Sequence, residues 1–159
     1  MRESLKVRQS KDEDPEVIGR HGRIATRLAR QIELSLLAIE LSVAQYRFLT
    51  CLDEGTAESG ALADRLVVTR PSVTAVADVL VTRGLIERKH GEDDRRRVTH
   101  ALTPAGREAL ATADAAVAAR LDHILGYLPD DEHQKLNDDF TLWSRALDDF
   151  RLARRNALG

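Results

Sequence analysis

The chain has 159 residues, 43% of them hydrophobic and 31% charged, with a formal net charge of -2. That mixture excludes a disordered chain, and the length suits one compact domain with or without helical extensions. The single cysteine, Cys51, excludes an internal disulfide, no apolar run approaches a membrane span, and the charged stretch Met1 to Glu16 lacks a signal-peptide core, so a cytoplasmic protein with no membrane role is expected.

Met1 to Asp14 is polar and reads as a frayed end. From Pro15 the pattern turns helical, with Ile24, Leu28, Ile32, Leu36 and Ile39 on one apolar face. Arg20, Arg23, Arg27 and Arg30 form a second stripe at spacings of three and four. Such a stripe is a solvated face, a partner for the acidic C-terminal helix, or the lining of an anion pocket. Ser42 and Gln45 have capping-box spacing and open a second helix, whose apolar positions are Val43, Tyr46, Leu49 and, less regularly, Leu52; Gly55 ends it. Cys51 lies near the end of this helix, as a small core filler or as a thiol sensor.

Glu58 or Ser59 starts a short helix that carries Leu62, Ala63 and Leu66, and Val67-Val68 makes a turn. Thr69 caps the next helix, with Pro71 in its first turn, where a missing N–H costs nothing. Val73, Val76, Ala77 and Leu80 are its buried stripe; Arg70, Ser72 and Thr74 remain exposed near its N-terminus, and Gly84 closes it. Leu85 to His90 reads as a strand, Gly91 to Arg96 as a charged turn, and Arg97 to Leu102 as the returning strand with Val98 inward. Thr103-Pro104 then opens a helix to about Tyr127, alanine-rich from Ala111 to Arg120. Gly126 and Pro129 break it. Asp130 caps a last helix whose stripe is Leu136, Phe140, Trp143, Leu147 and Phe150. A Trp and two Phe on one helix need burial against another, and a second subunit is the obvious supplier.

No phosphate-binding glycine loop, G-x-S-x-G or Cys-x-x-Cys occurs. The histidines, His21, His90, His100, His123 and His133, lack metal-ligand spacing; His123, Glu132 and His133 come nearest to a set. No catalytic residue, metal or cofactor is therefore expected. The charge distribution points elsewhere. From Arg65 to Arg107 there are nine Lys or Arg against five Asp or Glu, a basic segment in an acidic chain. Such focusing suits a polyanion, and equally a solvated surface.

Helix, turn, helix, strand, charged hairpin and strand, in that order, is a winged helix-turn-helix. In such modules the start of the second helix reaches base edges while the flanks hold phosphate. Arg70, Ser72 and Thr74 are the donors there. Asp94, Arg95, Arg96 and Arg97 place cations at the hairpin, and a guanidinium oriented by Asp94 suits a narrow minor groove. The landmarks L-A-D-R-L, R-P-S-V-T, L-V-T-R-G-L-I-E-R, D-D-R-R-R and A-L-T-P-A-G, between Ser42 and Gly106, resemble the MarR family of bacterial transcription regulators. The resemblance implies a mainly α fold with a small β-hairpin wing, and a homodimer with interlocked N- and C-terminal helices. It implies two winged modules on a near-palindromic double-stranded operator. Arg96 and Asp94 match the family's wing pair; Thr69, Arg70, Ser72 and Thr74 match its recognition-helix start. Three positions depart from the family pattern: Ala75 and Val79 offer nothing to a base, Val67 stands where glycine is common, and Glu58 replaces a Ser or Thr cap.

The expected organisation is residues 1–41 and 105–159 for dimerisation and 42–104 for DNA. The expected function is a repressor released by a small aromatic or anionic effector, with Arg27, Tyr46 and Arg47 as candidate contacts. Two other classes stay open: a redox regulator acting through Cys51, and a winged helix that binds protein through the apolar strip at Ala75 and Val79.

Overall fold

The computed structural model describes residues 15–90 and 98–158. Six helices and one hairpin follow the order α1 (Pro15–Leu37), α2 (Val43–Asp53), α3 (Ser59–Leu66), α4 (Arg70–Thr82), β1 (Ile86–His90), β2 (Val98–Leu102), α5 (Pro104–Leu125) and α6 (Asp130–Leu158). The fold is mainly helical with a two-stranded wing, as the sequence predicts.

The caps are those the sequence spells out. The Ser42 hydroxyl accepts from the Gln45 N–H, and the Gln45 amide oxygen accepts from the Ser42 N–H, completing the capping box. Thr103 accepts from the Gly106 N–H at 3.0 Å. Gly55 closes α2 as expected, in the left-handed position (φ 86°) directly after the C-cap Glu54. Two ends differ from expectation. α1 stops at Leu37, so Ile39 lies beyond it, because Glu40 turns left-handed (φ 59°) and the Leu41 N–H closes back on the Leu36 carbonyl at 3.0 Å. Asp130 is the first helical residue of α6.

Phe48, Leu49, Leu62, Val73, Ala77, Leu80 and Leu36 form the centre of the core, joined by Leu110, Ala113 and Val117 of α5. This is where the helix-turn-helix, the wing root and α5 meet. Phe48 is fully buried and the sequence reading passed over it, while Val43 is exposed at 36%. The α2 face is therefore rotated from the one predicted.

β1 and β2 pair antiparallel with Arg88 opposite His100 and Ile86 opposite Leu102. Val98 is half-buried on the inward face, and His100, two residues on, is the buried residue of the strand. Gly106 holds α5 against this root: a Cβ there would collide with the Leu85 carbonyl oxygen.

No described residue of α6 is buried. Phe140 (50%), Trp143 (59%), Leu147 (61%) and Phe150 (63%) lie open, and α1 exposes Val17, Ile18 and Ile24. No described helix is long and apolar enough to cross a membrane.

Candidate nucleic-acid interface

The recognition helix is α4. Its start is built by two neighbouring hydroxyls: Thr69 Oγ1 accepts from the Ser72 N–H at 3.4 Å and lies 2.9 Å from Ser72 Oγ. Ser72 thus takes part in the cap while remaining exposed. Thr74 donates to the Arg70 carbonyl at 3.2 Å, one turn back. Its oxygen keeps acceptor capacity, but its proton is in use. Arg70 is exposed, with its guanidinium near Gly60 of α3. All four helix-start residues are exposed, Thr69 with Ser72 and Arg70 with Thr74. Ala75 and Val79 continue the Ser72 side without polar groups, Val79 at 46% exposure.

The turn before α4 is unusual. Val67 adopts φ 58°, ψ 48°, the left-handed region, and the Val68 N–H bonds back to the Ala63 carbonyl at 3.0 Å. A β-branched residue is disfavoured there, so Val67 occupies a helix-end position whose backbone suits glycine.

The wing is tied to this helix at its root. Arg88 Nη2 donates to Asp78 Oδ1 of α4 at 2.8 Å. Arg88 Nε is buried and has no hydrogen-bond partner among the described residues. Beside it, His100 is 4% exposed, packs edge-on to Phe48 (5.5 Å, 89°) and has Nδ1 3.4 Å from the Ala57 carbonyl. Burial, aided by the Arg88 charge, lowers the His100 pKa below its ordinary value; the Ala57 bond and Asp78 pull the other way. The sequence reading singled out neither Asp78, Arg88 nor His100 as a site. The only available signal was strand parity, which puts 88 and 100 on the inward face. Asp94, Arg95, Arg96 and Arg97, the wing residues expected to meet DNA, lie outside the described residues.

The effector candidates have separate hydrogen-bond partners. Tyr46 donates to Asp114 Oδ1 of α5 at 2.7 Å, and its phenol is pushed up to about 12 by burial and by that carboxylate. Arg47 donates to the Leu66 carbonyl of α3 at 3.2 Å. Arg27 is exposed on α1. A separate cleft of about 280 Å³ opens between the α1–α2 connection, the end of α4 and the start of α5. Ile39, Leu41, Arg83, Glu108 and Thr112 line it, and Arg83 braces it by donating to the Glu40 carbonyl at 2.7 Å. Arg27, Tyr46 and Arg47 are not among its walls.

Cys51 is 6% exposed. Burial raises its thiol pKa in spite of Arg65, Arg47 and Arg151, so the nucleophilic thiolate is disfavoured. Of the possible metal set, His133 Nε2 lies 3.0 Å from the Leu125 carbonyl and His123 packs against the Tyr127 ring. No group of three such side chains gathers among the described residues.

Comparison with known proteins matches this architecture. The family model for the MarR family matches residues 41–98, from the loop before α2 into β2. A curated relative, the uncharacterized HTH-type transcriptional regulator YfiV of Bacillus subtilis, is 26% identical over 113 residues, covering 70% of this chain and 71% of YfiV. Among solved structures, the transcriptional regulator BldR of Sulfolobus solfataricus superposes with a TM-score of 0.65 at 25% identity, covering 82% of this chain and 94% of BldR. CouR of Rhodococcus jostii RHA1, solved bound to p-coumaroyl-CoA, has a TM-score of 0.63 at 22% identity, with 79% and 90% covered.

Proposed function

We propose, for a chain that belongs to the MarR family through its residues 41–98, that it is a homodimeric repressor released from its operator by a small molecule. That it is a DNA-binding regulator of transcription with a winged helix-turn-helix is the family's common ground; the rest is our reading. The observation that carries it is the exposed start of α4, where Thr69, Arg70, Ser72 and Thr74 are all open on a helix that Asp78 and Arg88 tie to the wing root. We assign these four residues, with Asp94, Arg95, Arg96 and Arg97 of the wing, to the DNA contact. Residues 42–104 form the reading unit. Residues 1–41 and 105–159 supply dimerisation, a role supported by the open apolar faces of α1 and α6.

A symmetric dimer reads a symmetric site. Selection from a random duplex library should therefore return a near-palindrome whose half-sites lie about 10 bp apart or a multiple of that. Recovery of a single asymmetric half-site would contradict the dimer, and recovery of no site would contradict the regulator.

For the effector we propose an aromatic anion, held by Arg27, Tyr46 and Arg47. CouR, bound to p-coumaroyl-CoA, shows an aromatic acid derivative on this fold. Arg83 in the neighbouring cleft is the competing anchor. Millimolar salicylate should weaken operator binding by the wild-type chain. Loss of that response in Arg47→Ala supports the first site, and loss in Arg83→Ala moves it to the cleft. No response in the wild type would overturn the proposed ligand class.

A further inference from the structure

We propose that Asp78, Arg88 and His100 form a relay that fixes the recognition helix against the wing, and that the relay engages only while His100 is uncharged. The inference rests on the DNA-binding reading of α4 and the wing, and adds a control to it.

Two observations meet here. Arg88 reaches across from β1 to α4 with one arm of its guanidinium, at 2.8 Å from Asp78 Oδ1, yet leaves Nε buried without a partner. A buried donor of this kind is destabilising, so it either finds an acceptor or marks a place where one acts. His100 is the residue directly opposite Arg88 in the hairpin register, so both side chains leave the same face of the sheet. The Ala57 carbonyl accepts from the His100 backbone N–H at 3.0 Å and lies 3.4 Å from Nδ1, so in the tautomer that donates to it Nδ1 carries the proton. The other nitrogen, Nε2, is then the bare one: an acceptor on the same face as a donor that lacks one. A side-chain rotation joins them, and the chain Asp78–Arg88–His100 then runs from the recognition helix through β1 to β2.

Protonating His100 removes that acceptor and sets a second cation opposite the guanidinium. The surroundings offer little relief. α2 meets His100 with the ring of Phe48, and the segment before α3 meets it with the Ala57 carbonyl. α3 touches the strand through Ser59, which donates to the Val98 carbonyl. α5 meets the strand at its other end, where Gly106 lies near Leu102. The charged groups acting on it are Arg88 from β1 and Asp78 from α4, and Asp78 is already shared with Arg88. The repulsion is therefore met by moving Arg88 away from Asp78. That frees the wing root from α4 and leaves an uncompensated carboxylate on the recognition helix.

The folded chain favours neutral His100, so its imidazole titrates below the ordinary histidine value. Wing and helix are held together above that range, and the hold is lost as pH falls through it.

The test has two arms. In the first, the full chain is titrated by NMR on the His100 Cε1–H signal. The midpoint should lie below 6.5, rise in Arg88→Met and fall in Asp78→Asn. A midpoint that Arg88→Met leaves in place overturns the relay. In the second, affinity for the tightest duplex selected by the wild type at pH 7.5 is followed down to pH 5.5. The wild type should lose at least tenfold more affinity than His100→Phe or His100→Gln, two neutral replacements that differ in shape. A parallel loss in wild type and both variants overturns the control by His100, since the remaining histidines are common to all three. If the wild type binds no duplex at pH 7.5, the regulator reading fails, and the NMR arm still decides the relay.

Discussion

Val67 and Gly106 show opposite relations between a residue and its backbone. Val67 occupies left-handed space where glycine would be at ease, while Gly106 sits where any Cβ would strike the Leu85 carbonyl. The left-handed strain on a β-branched side chain is about 1–2 kcal/mol, and glycine returns roughly half of that in unfolded-chain entropy. Val67→Gly should therefore raise stability by about 1 kcal/mol. Gly106→Ala should lower it by about 2 kcal/mol or more, since the obstacle is backbone and cannot swing aside. Urea midpoints for both variants check the signs; a stabilised Gly106→Ala or a destabilised Val67→Gly would contradict the geometry. Both positions were visible in the sequence, for different reasons. Val67 stood out as a departure from a turn that favours glycine. Gly106 was only part of the L-T-P-A-G landmark, because a collision with a residue twenty-one positions earlier is a tertiary fact with no local signature. Phe48 and His100 escaped for the same reason. A buried histidine reads as polar until the strand register and the ring it packs against are known.

At the scale of elements, the helices were legible because their ends are written in side chains. Ser42 with Gln45, Thr69 with Pro71, and Thr103 with Pro104 each mark a start found within a residue of the predicted place. The end of α1 was not legible, since Glu40 takes the left-handed position without being glycine. α6 poses the opposite problem: its pattern is clear, yet its apolar stripe faces nothing in one chain. Fully burying each such side chain is worth about 1.5–3 kcal/mol. A face of Phe140, Trp143, Leu147 and Phe150 is thus strong enough to drive association. The double variant Leu147→Asp, Phe150→Asp should sediment as a single chain, while the wild type sediments at twice the mass of one chain. A wild type that stays single at micromolar concentration would contradict the dimer.

For the molecule as a whole, the reading unit and its support differ in how they are held. The core around Phe48, Leu62 and Leu80 fixes α2, α3, α4 and the wing root as one body, with α5 against it. α6 and the first half of α1 extend from that body with apolar side chains open, while Leu36 anchors the end of α1 in the core. The proposed reading unit is therefore built within one chain, and in the proposed dimer the spacing of two such units would depend on the pairing of the extensions. The polar groups of the recognition helix are confined to its first turns, and Ala75 and Val79 supply none further along. We therefore propose that the helix start and the wing provide most of the contact, a division that the sequence already suggested and that the exposure of Thr69, Arg70, Ser72 and Thr74 supports. The salt dependence of operator affinity in wild type and Arg96→Ala measures this most directly. The wild type should lose affinity steeply with salt, and Arg96→Ala should bind more weakly with a log–log slope shallower by about one unit. Wild-type affinity and slope in Arg96→Ala, or no binding by the wild type at low salt, would contradict it.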